Sequence, residues 1–301
     1  MTARVGLIGH PLDHSISPAF QQAAFDAVGI DARYEAWDLP PEQLEDFIAG
    51  LRRPDALGAN VTIPYKEAAL HHVDRLHETA RFVGAINTIV NEGGHLAGYN
   101  TDVAGFQAAL KDAGVETRGA NVVIWGAGGA ARAVAWALIW RGVNGITVIN
   151  RTPVRAGRLR HDIAAAITGG KPQGVRLRAY AADHPDAIEA LRLCDIVVNC
   201  TPIGMQRSAA TPDQSAPETP FPVDPLSAGA LVIDLIANPL QTPLMRQATT
   251  AGHRVLGGLP MLVHQGAASF ELWTRRAPPM ATMNSAAQTA MQAMQPIQDA
   301  P

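Results

Sequence analysis

The chain has 301 residues, of which 47% are hydrophobic and 17% charged, with a formal net charge of −3. That length fits one or two domains, and the composition is that of a globular protein and not of a disordered one. The near-neutral charge disfavours nucleic-acid binding, and no apolar run approaches the roughly 20 residues of a membrane helix. Two cysteines are too few for a disulfide framework or a zinc site. We therefore predict a cytoplasmic protein without a bound metal.

Short strands and helices are predicted over the first hundred residues. A buried strand at 4–9 precedes a helix that has Ser17 as its N-cap and Pro18 in its first turn, and that ends at Gly29. Further elements are predicted as strands at 33–38, 59–62 and near 85–91, and as helices at 42–51 and 102–113.

Strands and helices alternate regularly from residue 121 onward, a pattern typical of a parallel sheet. The predicted strands are at 121–125, 146–150, 175–179, 195–199, 231–234 and 254–256. The predicted helices are at 129–141, 154–167, 261–273 and 280–294. Residues 202–227 are rich in proline and serine and predict a long loop.

Lysine is rare in this chain, because only Lys66, Lys111 and Lys171 occur among 24 basic residues. Arginine stays charged in proteins, whereas lysine can release a proton near neutral pH. A lysine retained in this background is a candidate for proton transfer. Chance is the other explanation, and we accept it for Lys111 and Lys171.

A glycine-rich segment joins the predicted strand 121–125 to the helix after it, and it fits the pattern G-x-G-x-x-A. Glycines there permit a tight turn and a close approach of backbone to a pyrophosphate, which the helix N-terminus attracts. A plain glycine-rich turn is the alternative. The candidate nucleotide contacts are Gly126, Ala127, Gly128, Gly129 and Ala130.

The end of the next strand indicates which nucleotide binds. An NAD site places an acidic residue about 20 residues after the glycines, to bind the ribose hydroxyls. Here the strand ends in Asn150, Arg151 and Thr152, with Arg155 close behind and no acid among them. Arginine binds a 2′-phosphate through paired hydrogen bonds, so the cofactor is predicted to be NADP. The alternative is that these arginines are solvated surface charges.

Further motifs stand in order along the chain. Before the glycines come S-x-S-P at 15–18, N-V-T-x-P-x-K at 60–66, G-A-x-N-T at 84–88 and G-x-N-T-D at 98–102. After them come N-R-T at 150–152, N-C-T-P-I-G-M at 199–205 and M-L-V-H-Q at 261–265. With this set the chain resembles the shikimate dehydrogenase family over essentially its whole length. That family reversibly reduces 3-dehydroshikimate to shikimate with NADPH.

The resemblance implies a catalytic pair, Lys66 and Asp102. An ammonium group can donate a proton to the forming oxyanion, and a carboxylate beside it holds and tunes it. The structural alternative is a salt bridge at a domain hinge.

The resemblance also implies the substrate contacts. Ser15 and Ser17 would hold a carboxylate, and Thr62, Asn87 and Gln265 would bind ring hydroxyls. Each of the latter three is alternatively a hydrogen-bonded turn residue.

The resemblance implies further cofactor contacts in the second half of the chain. They are Thr201, Met205 and Gly258, of which the last two lie toward the nicotinamide. For Met205, plain packing is the alternative.

Several departures from the family pattern concern the substrate pocket. Ala237 stands where the family has tyrosine, which predicts a larger pocket with one hydroxyl fewer. Pro260 is predicted to stiffen the loop before the Gln265 helix. Gln21 and Gln22 replace a His-Asn pair. A paralogue acting on quinate, aminoshikimate or another cyclic polyol acid therefore stays open.

The predicted fold is two-domain α/β. Residues 1–103 form a substrate domain, 104–257 a Rossmann-like NADP domain, and 258–301 helices that return to the substrate domain. We expect a monomer or homodimer with a small-molecule substrate and no nucleic-acid or membrane partner. A non-catalytic NADP-binding regulator is the alternative from another class, and the presence of both Lys66 and Asp102 argues against it.

Overall fold

The structure is a computed structural model that describes residues 2–12, 15–168, 174–205 and 219–294. The chain divides into two compact units, each built on one six-stranded sheet. Unit 1 consists of Met1–Thr101 and Leu262–Pro301, and unit 2 of Asp102–Met261. The predicted α/β class is confirmed.

The elements are numbered in chain order. The strands are β1 Ala3–Gly9, β2 Ala32–Asp38, β3 Ala56–Val61, β4 Arg75–Leu76, β5 Thr88–Glu92, β6 His95–Tyr99, β7 Asn121–Trp125, β8 Gly145–Asn150, β9 Arg176–Ala181, β10 Ile196–Asn199, β11 Leu231–Asp234 and β12 Arg254–Leu256. The helices are α1 Ser17–Ala27, α2 Leu44–Gly50, α3 Glu78–Val83, α4 Asp102–Asp112, α5 Gly129–Trp140, α6 Pro153–Thr168, α7 Pro185–Leu193, α8 Pro243–Thr250, α9 Leu259–Thr274 and α10 Met280–Met294.

The sheet of unit 1 is mixed, with strand order β2-β1-β3-β5-β6-β4. β1 pairs in parallel with β2 and β3, whereas β5 runs antiparallel to β3 and β6. Gly93 and Gly94 join β5 to β6 and both have positive φ, of 65° and 94°. A two-residue hairpin loop of type I′ has positive φ at both positions, and glycine adopts it without steric cost. The strand predicted near 85–91 is thus the first arm of a hairpin that the sequence analysis missed.

Helix α9 packs on this sheet through its aromatic residues. The Trp273 indole N–H donates to the Ile89 carbonyl over 2.9 Å. The ring centroids of Phe270 and of Phe25 on α1 lie 5.0 Å apart. Gly58 of β3 lies beneath Trp273. The C-terminal part of the chain is therefore integral to the core of unit 1.

The sheet of unit 2 is entirely parallel, with order β9-β8-β7-β10-β11-β12. The chain winds outward from β7 through β8 to β9, then returns to the other side of β7 for β10 to β12. Strand order therefore reverses between β7 and β10. In open parallel sheets, ligands bind at the carboxyl ends of the strands beside such a reversal.

Two local predictions were wrong. Ser17 is not the N-cap of α1, because Ile16 holds that position and Ser17 is the first helical residue. Pro260 does not lie in a loop, because α9 begins at Leu259 and holds it in its first turn. That turn tolerates proline, since its N–H groups have no partner within the helix. Helices α3, α7 and α8 were not predicted.

Of the predicted loop at 202–227, residues 206–218 lie outside the described residues. The parts that are described, 202–205 and 219–227, contain no helix or strand. Across the described ranges, no helix is long and apolar enough to cross a membrane.

Replacing Gly58 with alanine should destabilise unit 1. A Cβ at Gly58 would lie 2.0 Å from the Ile89 carbonyl oxygen, and its φ of 141° is strained for any side chain. Overpacking adds about 1–3 kcal/mol to that strain. The thermal unfolding temperature of Gly58→Ala should therefore be well below that of Gly29→Ala. Gly29 is the control because it also has positive φ but has open space where its Cβ would stand. Equal unfolding temperatures would contradict the packing described for β3 and β5.

Candidate functional site

The substrate-side candidates of unit 1 gather at one edge of its sheet. β1 and β3 are parallel, so the loops after them leave the sheet side by side. β5 is antiparallel to β3 and begins at that same edge, where Asn60 pairs with Thr88. The site therefore draws on the ends of β1, β3 and β6 and on the start of β5.

The two serines lie where the loop after β1 enters α1, Ser15 in the loop and Ser17 as the first helical residue. The Ser15 hydroxyl accepts a hydrogen bond from the Ser17 backbone N–H over 3.3 Å. Ser17 opens α1 and is buried, and the positive end of the helix dipole favours an anion there. The loop thus brings two hydroxyls to a helix N-terminus. His14 and Asp13 lie outside the described residues.

Lys66 and Thr62 lie in the loop after β3. The Thr62 N–H donates to the Ile8 carbonyl over 2.9 Å, and the Tyr65 N–H donates to the Thr62 carbonyl over 2.8 Å, which makes a tight turn. The Lys66 carbonyl accepts from the Ile86 N–H over 2.8 Å. This bond holds the Lys66 backbone beside the residue that precedes Asn87.

The structure brings Asn87 and Gln265 together, although 178 residues separate them. The Asn87 Nδ2 donates to Gln265 Oε1 over 3.0 Å. The Asn87 Oδ1 accepts from the Thr101 N–H over 2.7 Å, and Gln265 Nε2 donates to the Leu262 carbonyl over 2.7 Å. The two predicted hydroxyl ligands therefore form one connected pair.

A buried polar group that the sequence analysis missed lies behind this amide pair. Its three hydroxyls belong to Thr88, Thr101 and Ser269, and we call them the hydroxyl cluster. The Asn60 amide also contacts it. A signal was available, since Ser269 follows Gln265 by four residues and so shares its helix face.

Asp102, the predicted partner of Lys66, is the first residue of α4 in unit 2. Its side chain is buried. A carboxylate in the first turn of a helix interacts favourably with the helix dipole. The first turn of α4 is therefore a favourable place for the Asp102 side chain.

The glycine-rich segment of unit 2 lies where the strand order reverses. The Gly126 N–H donates to the Ile149 carbonyl at the end of β8, and the Cys200 N–H donates to the Trp125 carbonyl over 2.7 Å. A Cβ on Gly126 would lie 3.0 Å from the Cys200 backbone, and its φ is 118°. Only glycine fits between the ends of β7, β8 and β10 at this point.

Gly128 is the N-cap of α5 and has extended backbone. Among the described residues, no side chain caps this helix, and beyond the adjoining backbone no atom lies within 4 Å of where a Gly128 Cβ would stand. Uncapped N–H groups beside open space form an anion site at a helix N-terminus. Gly129 and Ala130 supply the first turn of that helix, and Ala127 is buried beneath it.

The predicted phosphate-binding residues follow β8. The Asn150 Nδ2 donates to the Thr152 carbonyl over 3.0 Å, and the Arg155 N–H donates to that same carbonyl over 3.1 Å. Arg151 and Arg155 are both exposed. Two guanidinium groups thus flank one short turn at the start of α6.

A buried carboxylate joins the loops after β10 and β11. Asp234 accepts from Thr242 Oγ1 over 2.6 Å, from Asn199 Nδ2 over 2.9 Å and from the Ile236 N–H over 3.2 Å. Burial raises the pKa of Asp234, and these hydrogen bonds oppose the rise. Asn199 Oδ1 in turn accepts from the Thr201 N–H and hydroxyl, over 2.9 and 2.7 Å. The predicted cofactor contact Thr201 is therefore held in place by Asp234.

Gly258 packs directly against the backbone after β11. A Cβ there would lie 2.2 Å from the Leu235 carbonyl oxygen, so no side chain fits. The Gly258 N–H donates to the Ile236 carbonyl over 3.2 Å, beside the partly exposed Ala237. Met205 is 38% exposed at the end of a described segment. Within the described residues, no group of three His, Cys, Asp or Glu side chains could hold a metal ion.

The comparisons with known proteins agree along the chain. The family model of the shikimate dehydrogenase substrate binding domain matches residues 7–89. The model described as shikimate/quinate 5-dehydrogenase matches 107–202, and the shikimate 5′-dehydrogenase C-terminal domain matches 258–288.

Whole-length relatives give the same result. The shikimate dehydrogenase (NADP(+)) of Symbiobacterium thermophilum is 47% identical over 96% of this chain and 94% of its own. The shikimate 5-dehydrogenase of Thermus thermophilus, solved with NADP(H) and shikimate, is 39% identical over 96% of this chain and 99% of its own, with a TM-score of 0.81. A shikimate dehydrogenase solved with NADP+ has a TM-score of 0.85 at 37% identity, covering 96% of each chain. The chain belongs to the shikimate dehydrogenase family.

A rival activity is also represented among the solved structures. The quinate dehydrogenase of Corynebacterium glutamicum, solved with NAD, is 31% identical over 96% of this chain and 99% of its own, with a TM-score of 0.82. That identity is lower than those of the shikimate dehydrogenases above.

Replacing Thr242 with valine should destabilise unit 2 in a pH-dependent way. Valine removes one donor from the buried Asp234 and also the cap that accepts from the Met245 N–H, which together should cost about 2–4 kcal/mol. Because the lost bond favours the ionised carboxylate, the pKa of Asp234 should rise further. The loss should therefore grow as the pH rises past the pKa that Asp234 has in the folded wild-type protein, which lies above the ordinary Asp value of 3.8.

Thermal unfolding at about pH 5 and about pH 8 measures this effect, with Thr242→Ser as the hydroxyl-retaining control. A loss that is equal at both pH values would contradict the role given to the Asp234 carboxylate.

Proposed function

We propose that this protein catalyses the reversible reduction of 3-dehydroshikimate to shikimate with NADPH. The observation that carries the proposal is the likeness, over 96% of the chain, to an enzyme solved with both NADP(H) and shikimate. The fold supports it, since both candidate sites lie at the carboxyl ends of parallel strands.

In this proposal unit 1 binds the substrate. Ser15 and Ser17 bind its carboxylate, because two hydroxyl donors at a helix N-terminus suit an anion without adding charge. Thr62, Asn87 and Gln265 bind the ring hydroxyls. Asn87 and Gln265 are already hydrogen-bonded to each other and to the backbone, so binding costs little ordering.

Unit 2 holds NADP in this proposal, and its residues fit that group. The open space at Gly128, beside the uncapped start of α5, suits the pyrophosphate. The exposed Arg151 and Arg155, with Asn150 and Thr152, suit a 2′-phosphate, which an acidic residue would repel. Thr201, Met205 and Gly258 complete the contacts, the last two toward the nicotinamide. Bound NADPH supplies the hydride.

Lys66 supplies the proton for the alkoxide that the hydride transfer creates, and Asp102 is the carboxylate that the family pattern assigns to the same catalytic pair. A charged donor aimed at the developing oxyanion stabilises the transition state more than the ketone. In the oxidation direction the same lysine accepts the hydroxyl proton. This role agrees with the scarcity of lysine in the chain.

Ala237 favours a second candidate, the oxidation of quinate or a related cyclic polyol acid. A small side chain beside Gly258 leaves room that a tyrosine would fill, and quinate carries one more ring hydroxyl. The identities above favour shikimate over quinate. A non-catalytic NADP-binding regulator is disfavoured, because binding alone requires neither Lys66 nor Asp102.

We also propose a cytoplasmic location, which the two free cysteines support. The assignments above give residues 1–103 and 258–301 the binding of substrate and residues 104–257 the binding of NADP.

Initial rates with shikimate and quinate, each with NADP+ and NAD+, test the proposed function. Fast turnover of shikimate with NADP+ alone supports it, and preference for quinate or NAD+ contradicts it.

Replacing Lys66 with alanine should lower kcat at least about 100-fold, the smaller end of general acid–base catalysis. Binding of NADP and of shikimate should persist, as measured by calorimetry. Lys111→Ala is the matched control, because Lys111 is exposed in the last turn of α4. An unchanged kcat in the Lys66 variant would show that the lysine does not take part in the reaction.

Replacing Arg151 with alanine should raise KM for NADP+ about tenfold or more while KM for NAD+ stays within about twofold. Charge-assisted hydrogen bonds to a phosphate are worth roughly 1.5–3 kcal/mol, and NAD+ lacks that phosphate. Arg160→Ala, another exposed arginine of α6, is the control. Equal rises for both cofactors would contradict the 2′-phosphate assignment.

A further inference from the structure

We propose that Ser269 is a positioning residue for substrate binding, acting with Thr88 to hold the amides of Asn87 and Gln265 in their binding orientation. This inference rests on the proposed function, because it concerns the ligands of the ring hydroxyls. Ser269 lies on α9 and is fully buried.

The orientation of an amide decides what it can recognise, because one end donates and the other accepts. A backbone N–H can only donate, so the Asn87 atom that faces the Thr101 N–H must be its oxygen. A backbone carbonyl can only accept, so the Gln265 atom that faces the Leu262 carbonyl must be its nitrogen. Backbone groups at both ends thus fix one arrangement for the pair.

The hydroxyl cluster supports this arrangement from behind. The Thr101 hydroxyl lies 2.8 Å from Asn87 Nδ2, and the Thr88 hydroxyl lies 3.2 Å from Asn87 Oδ1. Both groups can rotate to donate or to accept. The direction of each hydroxyl proton is therefore set by the neighbour that it shares, which is Ser269.

Ser269 Oγ contacts every part of the cluster. It donates to the Gln265 carbonyl over 3.0 Å and accepts from Asn60 Nδ2 over 2.9 Å. It also lies 2.7 Å from the Thr88 hydroxyl and 3.2 Å from that of Thr101. Its single proton is directed to the Gln265 backbone, so it acts as an acceptor toward the other groups. One oxygen therefore joins α9 to β3, to β5 and to the end of β6.

Burial makes this oxygen hard to replace. Thr88 and Ser269 have no exposed surface, and Asn87 has 1%. Water therefore does not replace a missing partner, and the Asn60 amide would be left with weaker bonds of 3.1 Å to the Asn87 carbonyl and Thr88. Asn87 and Gln265 would then be held mainly by their backbone bonds, and the support behind them would loosen while the backbone stays folded.

The test compares hydroxyl-deleting and hydroxyl-retaining variants of the full chain. Ser269→Ala and Thr88→Val delete a hydroxyl, and Thr88→Ser retains it. Thr274→Val deletes a hydroxyl on the same helix whose bonds within the described part of the chain go to the Phe270 carbonyl and the Arg276 N–H, outside the cluster. For each variant we would measure kcat, KM for shikimate, KM for NADP+ and the thermal unfolding midpoint.

Ser269→Ala and Thr88→Val should raise KM for shikimate about 5- to 20-fold, the size of one buried hydrogen bond. KM for NADP+ should stay within about twofold, and Thr88→Ser and Thr274→Val should keep the wild-type KM for shikimate. A KM for shikimate that stays at the wild-type value, with or without a lower unfolding midpoint, would overturn the inference, as would equal rises in both KM values. A wild-type protein that does not turn over shikimate would overturn the proposed function and this inference together.

Discussion

Parallel strand pairing is the constraint on which both candidate sites depend. Strands that run in one direction end at one edge of the sheet, and the loops after them lie side by side. In unit 1, β1 and β3 thus bring the serine loop and the Lys66 loop to a common edge. In unit 2, β7, β8 and β10 bring the glycine-rich segment, Arg151 and Thr201 to another.

Each unit also buries a polar network directly behind its proposed ligand-binding residues. In unit 1 the hydroxyl cluster lies behind Asn87, and in unit 2 Asp234 lies behind Thr201 through Asn199. Burying polar groups is costly unless they are hydrogen-bonded, so such networks are rigid when complete. Rigid support of this kind holds ligand-binding groups within the small tolerance that binding and catalysis require.

The departures from the family pattern take different forms in the structure. Gln21 lies on α1, and its Nε2 donates to the Gly266 carbonyl over 2.9 Å, next to Gln265. A Cβ on Gly266 would lie 2.5 Å from the Phe20 ring, so the two helices meet closely there. Trp125 stands where the family has a small or aliphatic residue before the glycine-rich segment, and it is buried against Phe221, with ring centroids 5.2 Å apart. These residues are buried in the core, whereas Ala237 is partly exposed and follows Ile236, whose carbonyl accepts from the Gly258 N–H.

Local sequence determined the α/β class, the glycine-rich turn, the missing acid after β8 and the order of the family motifs, because periodicity and turn chemistry act over a few residues. It did not reveal the Gly93–Gly94 hairpin as such, although its two glycines were a local signal. Tertiary structure alone decided which polar side chains meet. Asn60 and Ser269 are 209 residues apart, and Asn87 and Gln265 are 178 apart. No local pattern encodes such contacts, because they exist only once α9 has packed on the sheet of unit 1 through Trp273 and Phe270.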